Sequence, residues 1–178
     1  MEAIDVSGAP AVSPSETPLH DQTTTSSGIV ALVKDDSNRV VANWVIHVAN
    51  TPAFRAWPSL GLAELQDSVP ELIEAILATI RVAGPGRTDD SIANTVDVAT
   101  NHGRKRGQAG FPIGALLSEF KALRQELCAS LRRVTGDDPA WHDAALELET
   151  RLNTTIDIAL IEAAEGWVDG VQPRTADE

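Results

Sequence analysis

The sequence predicts an all-α fold: a single antiparallel bundle of about five helices, with a globin-like arrangement as one form of it. Apolar residues recur at spacings of three and four between about residues 29 and 167, as on the buried face of a helix. Clusters of Gly and Pro interrupt this pattern at intervals typical of helix lengths, and no segment has the alternation of a strand. With 178 residues the chain is long enough for one domain with its own core.

The two ends of the chain lack the helical pattern. Residues 1–27 are rich in Ser, Thr and Pro, a composition that buries too little apolar area to offset the entropy lost on folding. We expect a disordered arm there. Residues 170–178 are predicted to be a disordered tail, because Gly170 is typical of a helix end. The helical domain should therefore cover residues 28–169.

The first helix is predicted over residues 29–50, with apolar residues at steps of four and seven. The second is predicted over residues 69–82. Ser68 stands directly before it as N-cap, Glu71 completes a capping box, and Pro70 suits the first turn. These capping signals place the start of the second helix more firmly than its end.

The third and fourth helices are predicted on either side of a glycine-rich stretch. The third begins at the cap Thr88 and runs to about Arg106, and it is the most polar helix of the set. The fourth begins near Pro112 and carries a continuous apolar stripe as far as Leu131. We expect this fourth helix to cross the centre of the bundle.

The fifth helix is predicted from a cap at Asp138 to Trp167, and its second half is apolar on almost every side. Such a helix lies inside a bundle or shares one of its faces with another copy of itself. We therefore predict a homodimer. The predicted dimer face consists of Ile156, Leu160, Ala163, Ala164 and Trp167.

Composition excludes several classes of partner and location. A formal charge of -12 and a pI near 4.6 disfavour nucleic acid and anionic membranes as partners. No apolar run is long enough to cross a membrane. The first 33 residues lack both Lys and Arg and the apolar stretch of a leader, so a cytoplasmic location is expected. The single cysteine, Cys128, is predicted to fill the core.

The sequence contains no recognisable catalytic or metal-binding motif. The four histidines, His20, His47, His102 and His142, are too scattered for a metal site. No nucleophile motif occurs, and no glycine-rich loop follows a strand. We expect neither an enzyme nor a bound cofactor. One alternative stays open, in which His102 or His47 serves as the single haem ligand of a globin-like sensor.

The stretch "HGRKRGQAGFP" is a basic island in an acidic chain, at the junction of the third and fourth helices. His102, Arg106 and Gly110 lie at four-residue steps and therefore share a helix face. Glu119 and Arg124 lie on the next helix, which folds back across the turn. We predict a polar clamp formed by His102, Arg106, Glu119 and Arg124. In a simpler alternative, Glu119 only pairs with a nearby cation to anchor the two helices.

Three segments, "NWVIHV", "LGLAELQDSVPELIEAIL" and "HGRKRGQAGFPIGALLSEFKALRQEL", carry a family resemblance. Between about Ile29 and Trp167 the chain resembles the N-terminal domain of RsbT co-antagonist proteins of the RsbR and RsbRD type. This domain also precedes bacterial sensor histidine kinases. The third segment is the specific one. The matching positions are Trp44, Asp67, Pro70, His102, Arg106, Gly110, Phe111, Glu119, Phe120, Leu123 and Arg124.

The resemblance implies an all-helical, partly globin-like regulatory domain, normally without haem, that dimerises and relays a signal to an output module. No kinase, ATP-binding, STAS or receiver segment follows the resembling region in this sequence. Kinase activity is therefore not implied. We expect a non-enzymatic regulatory domain of bacterial signal transduction that acts by protein–protein interaction with a partner in trans. The alternative is a small-molecule or haem-binding sensor.

Overall fold

A computed structural model describes residues 19–55, 66, 68–81 and 89–172. Within these ranges the chain forms seven α-helices and one short 3-10 turn, with no strand, which confirms the predicted all-α class. The helices are α1 Leu19–Asp35, α2 Ser37–Ala49, α3 Pro52–Arg55, α4 Val69–Arg81, α5 Asp89–Gln108, α6 Ile113–Thr135 and α7 His142–Val171. The 3-10 turn Pro139–Trp141 leads into α7.

The predicted first helix, residues 29–50, is two helices in the structure. Helix α1 ends at Asp35, and α2 begins at Ser37 after a one-residue break at Asp36. The Asp36 carboxylate accepts hydrogen bonds from Ser130 Oγ at 2.7 Å and from Arg133 Nη2 at 2.8 Å, both on α6. The break falls within the polar run "KDDSN", residues 34–38, and these contacts attach it to α6.

Both ends of the helical region extend beyond the predicted limits. Helix α1 begins at Leu19, inside the segment predicted as an arm, and Ser26 is buried against the rest of the bundle. Packing thus stabilises a turn that composition disfavours. Helix α7 continues through Gly170 to Val171 because that glycine packs against α5. Residues 1–18 and 173–178 lie outside the described ranges.

The other predicted helices correspond closely to α4 through α7. Asp138 acts as predicted, its carboxylate accepting a hydrogen bond from the Ala140 amide at 2.9 Å. The predicted cap Thr88 lies outside the described residues. None of the described helices is long and apolar enough to cross a lipid bilayer.

A single core lies between α1, α2, α4, α6 and α7. Cys128 belongs to this core, as predicted, and burial raises the pKa of its thiol. The largest side chains that are fully buried are Trp44, Phe111, Phe120, Ile29, Leu72, Ile73, Ile76, Leu116, Leu123, Leu127 and Leu148.

Helices α5 and α7 run parallel, in contact along most of their length. Gly103 faces Ala163 and Gly107 faces Trp167, so both helices advance in the same direction. A Cβ added at Gly103 would lie 1.8 Å from the carbonyl oxygen of Ala163. A Cβ at Gly166 would lie 2.0 Å from the carbonyl oxygen of Thr100. No larger residue fits at either crossing, because the two backbones are in direct contact.

Candidate functional site

A buried polar cluster connects α4, α5 and α6. At its centre, His102 Nε2 lies 2.9 Å from Glu119 Oε2, and His102 Nδ1 lies 2.6 Å from Ser68 Oγ. Arg106 Nε donates to Glu119 Oε1 at 3.0 Å and to Oε2 at 3.2 Å. The exposed fractions are 4% for Ser68, 1% for His102, 4% for Arg106 and 2% for Glu119. We call these four residues the polar clamp.

The clamp determines which nitrogen of His102 carries a proton. An ionised carboxylate only accepts hydrogen bonds, so the nitrogen facing Glu119, Nε2, is the donor. In the neutral imidazole Nδ1 is then an acceptor, and the hydroxyl of Ser68 donates to it. Both ring nitrogens are therefore satisfied, as buried polar atoms require. The ring edge also packs on Phe120, with centroids 5.9 Å apart.

Glu119 is held at its main chain as well as at its carboxylate. Trp44 Nε1, on α2, donates to the carbonyl oxygen of Glu119 at 3.0 Å. The guanidinium of Arg106 also lies over the ring of Phe111, 5.5 Å from its centroid. Within the part of the chain that the structure describes, the guanidinium of Arg106 and the imidazole of His102 face the carboxylate of Glu119, so this buried anion is compensated.

Local structure explains how α5 and α6 place these groups. His102 and Arg106 are one turn apart on α5 and point the same way. Gly110 has a φ of 73°, which reverses the chain, and the Phe111 amide donates to the Arg106 carbonyl at 2.8 Å. Pro112 then caps α6 in extended geometry. The turn between α5 and α6 is thus formed by Gly110 and Pro112.

Two details of the predicted clamp differ in the structure. Arg124 is not a member, because it lies on the face of α6 toward α7 and pairs with Asp157 at the surface. Ser68 is a member, although the sequence suggested only a cap for α4. Ser68 and His102 are separated by 34 positions, and no local pattern signals a contact over that distance.

The clamp contains the residue types of a nucleophile, a base and an acid, but it is closed to substrates. The aromatic and aliphatic neighbours around His102 and Glu119 leave only a void that no water molecule can enter. A hydroxyl that is 4% exposed cannot meet a substrate without local opening. The four side chains connect α4, α5 and α6 through buried hydrogen bonds.

Most of the residues predicted for the dimer face are fully or partly buried within one copy of the chain. Ile156 and Ala163 are fully buried, so neither is available for docking to a second copy. Leu160 and Trp167 pack partly against the core. The indole Nε1 of Trp167 donates to the carbonyl oxygen of Phe111 at 2.6 Å. The second apolar side of α7 is thus largely occupied by α5 and α6.

A different apolar surface lies where α6 begins and α7 ends. Ion pairs of Arg124 with Asp157 and of Arg132 with Glu149 show that these helices are antiparallel. Extending that register toward the start of α6 places Leu117 beside Ala164. It also places Ile113 beside Val168. The terminal apolar face, as we call it, consists of Ile113, Leu117, Ile161, Ala164 and Val168.

His47 and His142 lie apart from the polar clamp. His47 lies on the surface of α2, with Nδ1 at 3.4 Å from Glu126 Oε1. His142 is exposed at the start of α7. Among the residues that the structure describes, no group of three or more His, Cys, Asp or Glu side chains has a geometry that could hold a metal ion.

Comparison with known proteins identifies the family. The model of the RsbT co-antagonist protein rsbRD N-terminal domain matches residues 38–176, which include the whole polar clamp and the terminal apolar face. No curated protein and no solved structure matches the chain. The matched residues cover most of the sequence, as the resemblance implied. The chain therefore belongs to the family of the RsbT co-antagonist protein rsbRD N-terminal domain, a regulatory domain of signal transduction.

Proposed function

We propose that this domain is a non-enzymatic regulator that acts through protein–protein contacts, first of all by pairing with a second copy through the terminal apolar face. One observation carries the proposal. Leu117, Ile161 and Val168 are each about half exposed and lie on neighbouring turns of two antiparallel helices. Single exposed apolar residues are ordinary, whereas a contiguous group of them is typical of an interaction surface.

The position of this face suits a second copy. A patch shared by two copies meets itself across a twofold axis and needs no second complementary surface. The ion pair Arg124–Asp157 and the exposed Glu165 border its apolar side chains. Apolar centres with charged rims are the common arrangement at dimer interfaces.

The polar clamp gives this surface a mechanical link to the rest of the domain. Glu119 lies on the same stretch of α6 as Ile113 and Leu117, six and two residues further along the chain. The glycine contacts hold α7 directly on α5. A signal that alters the clamp would move α6 relative to α5 and α7, and so change the shape of the terminal apolar face. Two discrete packings of this kind are a known basis for switching.

The same contacts support regulation over the two alternatives. Ser68, His102 and Glu119 are closed to substrates, which argues against catalysis. Both nitrogens of His102 are hydrogen bonded, so binding to haem iron would first break a buried contact. The other candidate ligand, His47, lies at the surface. Interaction is the function that these geometries support best.

Sedimentation velocity tests the proposal. The wild-type chain should sediment as a dimer, and Leu117→Glu or Ile161→Glu should give a folded monomer, because each places a charge at the centre of the contact. Ile46→Glu is the matched control. Ile46 is 62% exposed and Ile161 58%, but Ile46 lies on α2, away from the face.

Circular dichroism of each variant establishes that it is folded. A wild-type chain that is monomeric at every concentration would contradict the proposal. A dimer that survives both face substitutions, or that is lost equally in Ile46→Glu, would do so as well.

A further inference from the structure

A second surface lies at the opposite end of α7, where α6 ends and the 3-10 turn leads into the next helix. Here a half-open groove of about 720 Å³ runs along the turn. The apolar residues that line it are Leu131, Trp141, Ala145 and Leu146. Leu146 is 63% exposed, and Trp141 only partly packs on the core. An indole is a frequent anchor of protein contacts, and the exposed leucine in the same groove enlarges the apolar surface around it.

The rim of the groove is strongly negative. Asp137, Asp138 and Asp143 line it, and no cation among the described residues pairs with Asp137 or Asp143. The one basic side chain of the rim besides His142, that of Arg132, is neutralised by Glu149. The C-terminal end of α6 and the N-terminal end of α7 both lie at this turn, so their opposite dipole charges offset each other and the negative charge comes from the carboxylates. The lining of the groove thus combines apolar side chains with an excess of negative charge.

We propose that this groove binds a basic segment of a partner protein. One apolar side chain of the segment would pack on Leu146 and Trp141, while lysines or arginines on either side meet Asp137, Asp138 and Asp143. A cation over the Trp141 indole would add a cation–π contact. The inference deepens the proposed function, because it supplies the partner in trans that a regulatory domain requires.

A second copy of this chain does not fit the groove. In the most basic run of the chain, residues 104–106, Arg106 is buried in the clamp and Arg104 pairs with Asp169. The groove is also remote from the terminal apolar face, since Leu146 and Ile161 are about 22 Å apart along α7. Both surfaces can therefore be occupied at once.

Titration of the full chain with a synthetic leucine–lysine peptide tests the proposal, with a leucine–glutamate peptide as the probe control. The Asp137→Asn and Asp143→Asn double variant and the Leu146→Ala variant should each weaken binding of the lysine peptide by about tenfold. The effect of the charge variant should diminish as salt is raised.

Matched variants separate the groove from the overall negative charge. Asp90→Asn with Asp97→Asn removes the same number of charges elsewhere, and Ile46→Ala truncates an equally exposed apolar residue. Both controls should bind the lysine peptide as the wild type does. Equal weakening by the groove pair and the control pair would overturn the proposal. So would binding of spermine that needs the two aspartates but not Leu146, because it would identify a site for small organic cations.

The two proposals fail in different experiments. Loss of dimers in Leu117→Glu with unchanged peptide binding would support both surfaces separately. Peptide binding that disappears together with the dimer would overturn the groove as an independent site, whereas a monomeric wild type that binds the peptide at the groove would overturn only the dimer.

Discussion

Helix α5 contacts α6 and α7 in opposite ways, through residues that alternate along one short stretch. His102 and Arg106 face α6 and hold it through buried polar side chains. Gly103 and Gly107, each the next residue along, face α7 and hold it by having no side chain at all. A rotation of 100° around the helix thus changes a charged contact into a contact between backbones.

The difference shows that the two contacts can respond to a signal in different ways. The backbones of α5 and α7 are so close that a Cβ added at Gly103 would lie 1.8 Å from the Ala163 carbonyl oxygen. Such a contact permits one packing of the two helices, because any displacement would open a gap between them. A hydrogen-bonded network can exchange donors and acceptors and hold more than one arrangement. We infer that α5 and α7 move together and that α6 is the element that shifts.

The largest effect should come from filling the glycine contact. Gly103→Ala places a methyl group on the Ala163 carbonyl and forces the helices apart, which should lower the free energy of unfolding by about 4 kcal/mol. Urea unfolding followed by circular dichroism measures this. The control is Gly114→Ala on α6, where a Cβ would meet nothing within 4 Å and should stabilise by about 0.5 kcal/mol. Similar effects at both positions would contradict the close packing of α5 on α7.

A smaller effect should follow from breaking the polar clamp. Glu119→Gln removes the buried carboxylate that faces the guanidinium of Arg106 and should cost about 3 kcal/mol. It should also change the dimer dissociation constant, since Glu119 and Leu117 share the same turns of α6. Arg124→Gln is the control, because its partner Asp157 is exposed and such pairs contribute at most about 1 kcal/mol. Equal losses of stability in the two variants would indicate that Arg124 contributes to the clamp as much as Glu119 does.

The smallest effect should come from Ser68→Ala, which removes one hydrogen bond to His102 and should cost about 1–2 kcal/mol. A double-mutant cycle with His102→Gln measures the coupling between the two side chains. The cost of Ser68→Ala should shrink when His102 is already replaced. Full additivity would indicate that Ser68 acts only as the cap of α4.

The sequence by itself determined the helical class and the positions of most helices. Those properties depend on local signals: the apolar spacing of α4 and α6, the Asp138 cap, and the turn at Gly110 and Pro112. It also placed His102, Arg106 and Glu119 together, because a short turn brings the end of one helix back onto the next. Such predictions succeed when the residues concerned are close in the chain.

Only the tertiary structure decided the contacts between distant segments. The helical start at Leu19, the break at Asp36 and the place of Ser68 in the clamp all depend on packing against residues far along the chain. The parallel contact of α5 with α7 buried Ile156 and Ala163 and left Ile161 exposed instead. Periodicity shows that a helix has an apolar side, but the neighbour that covers each side is set by how the whole chain packs.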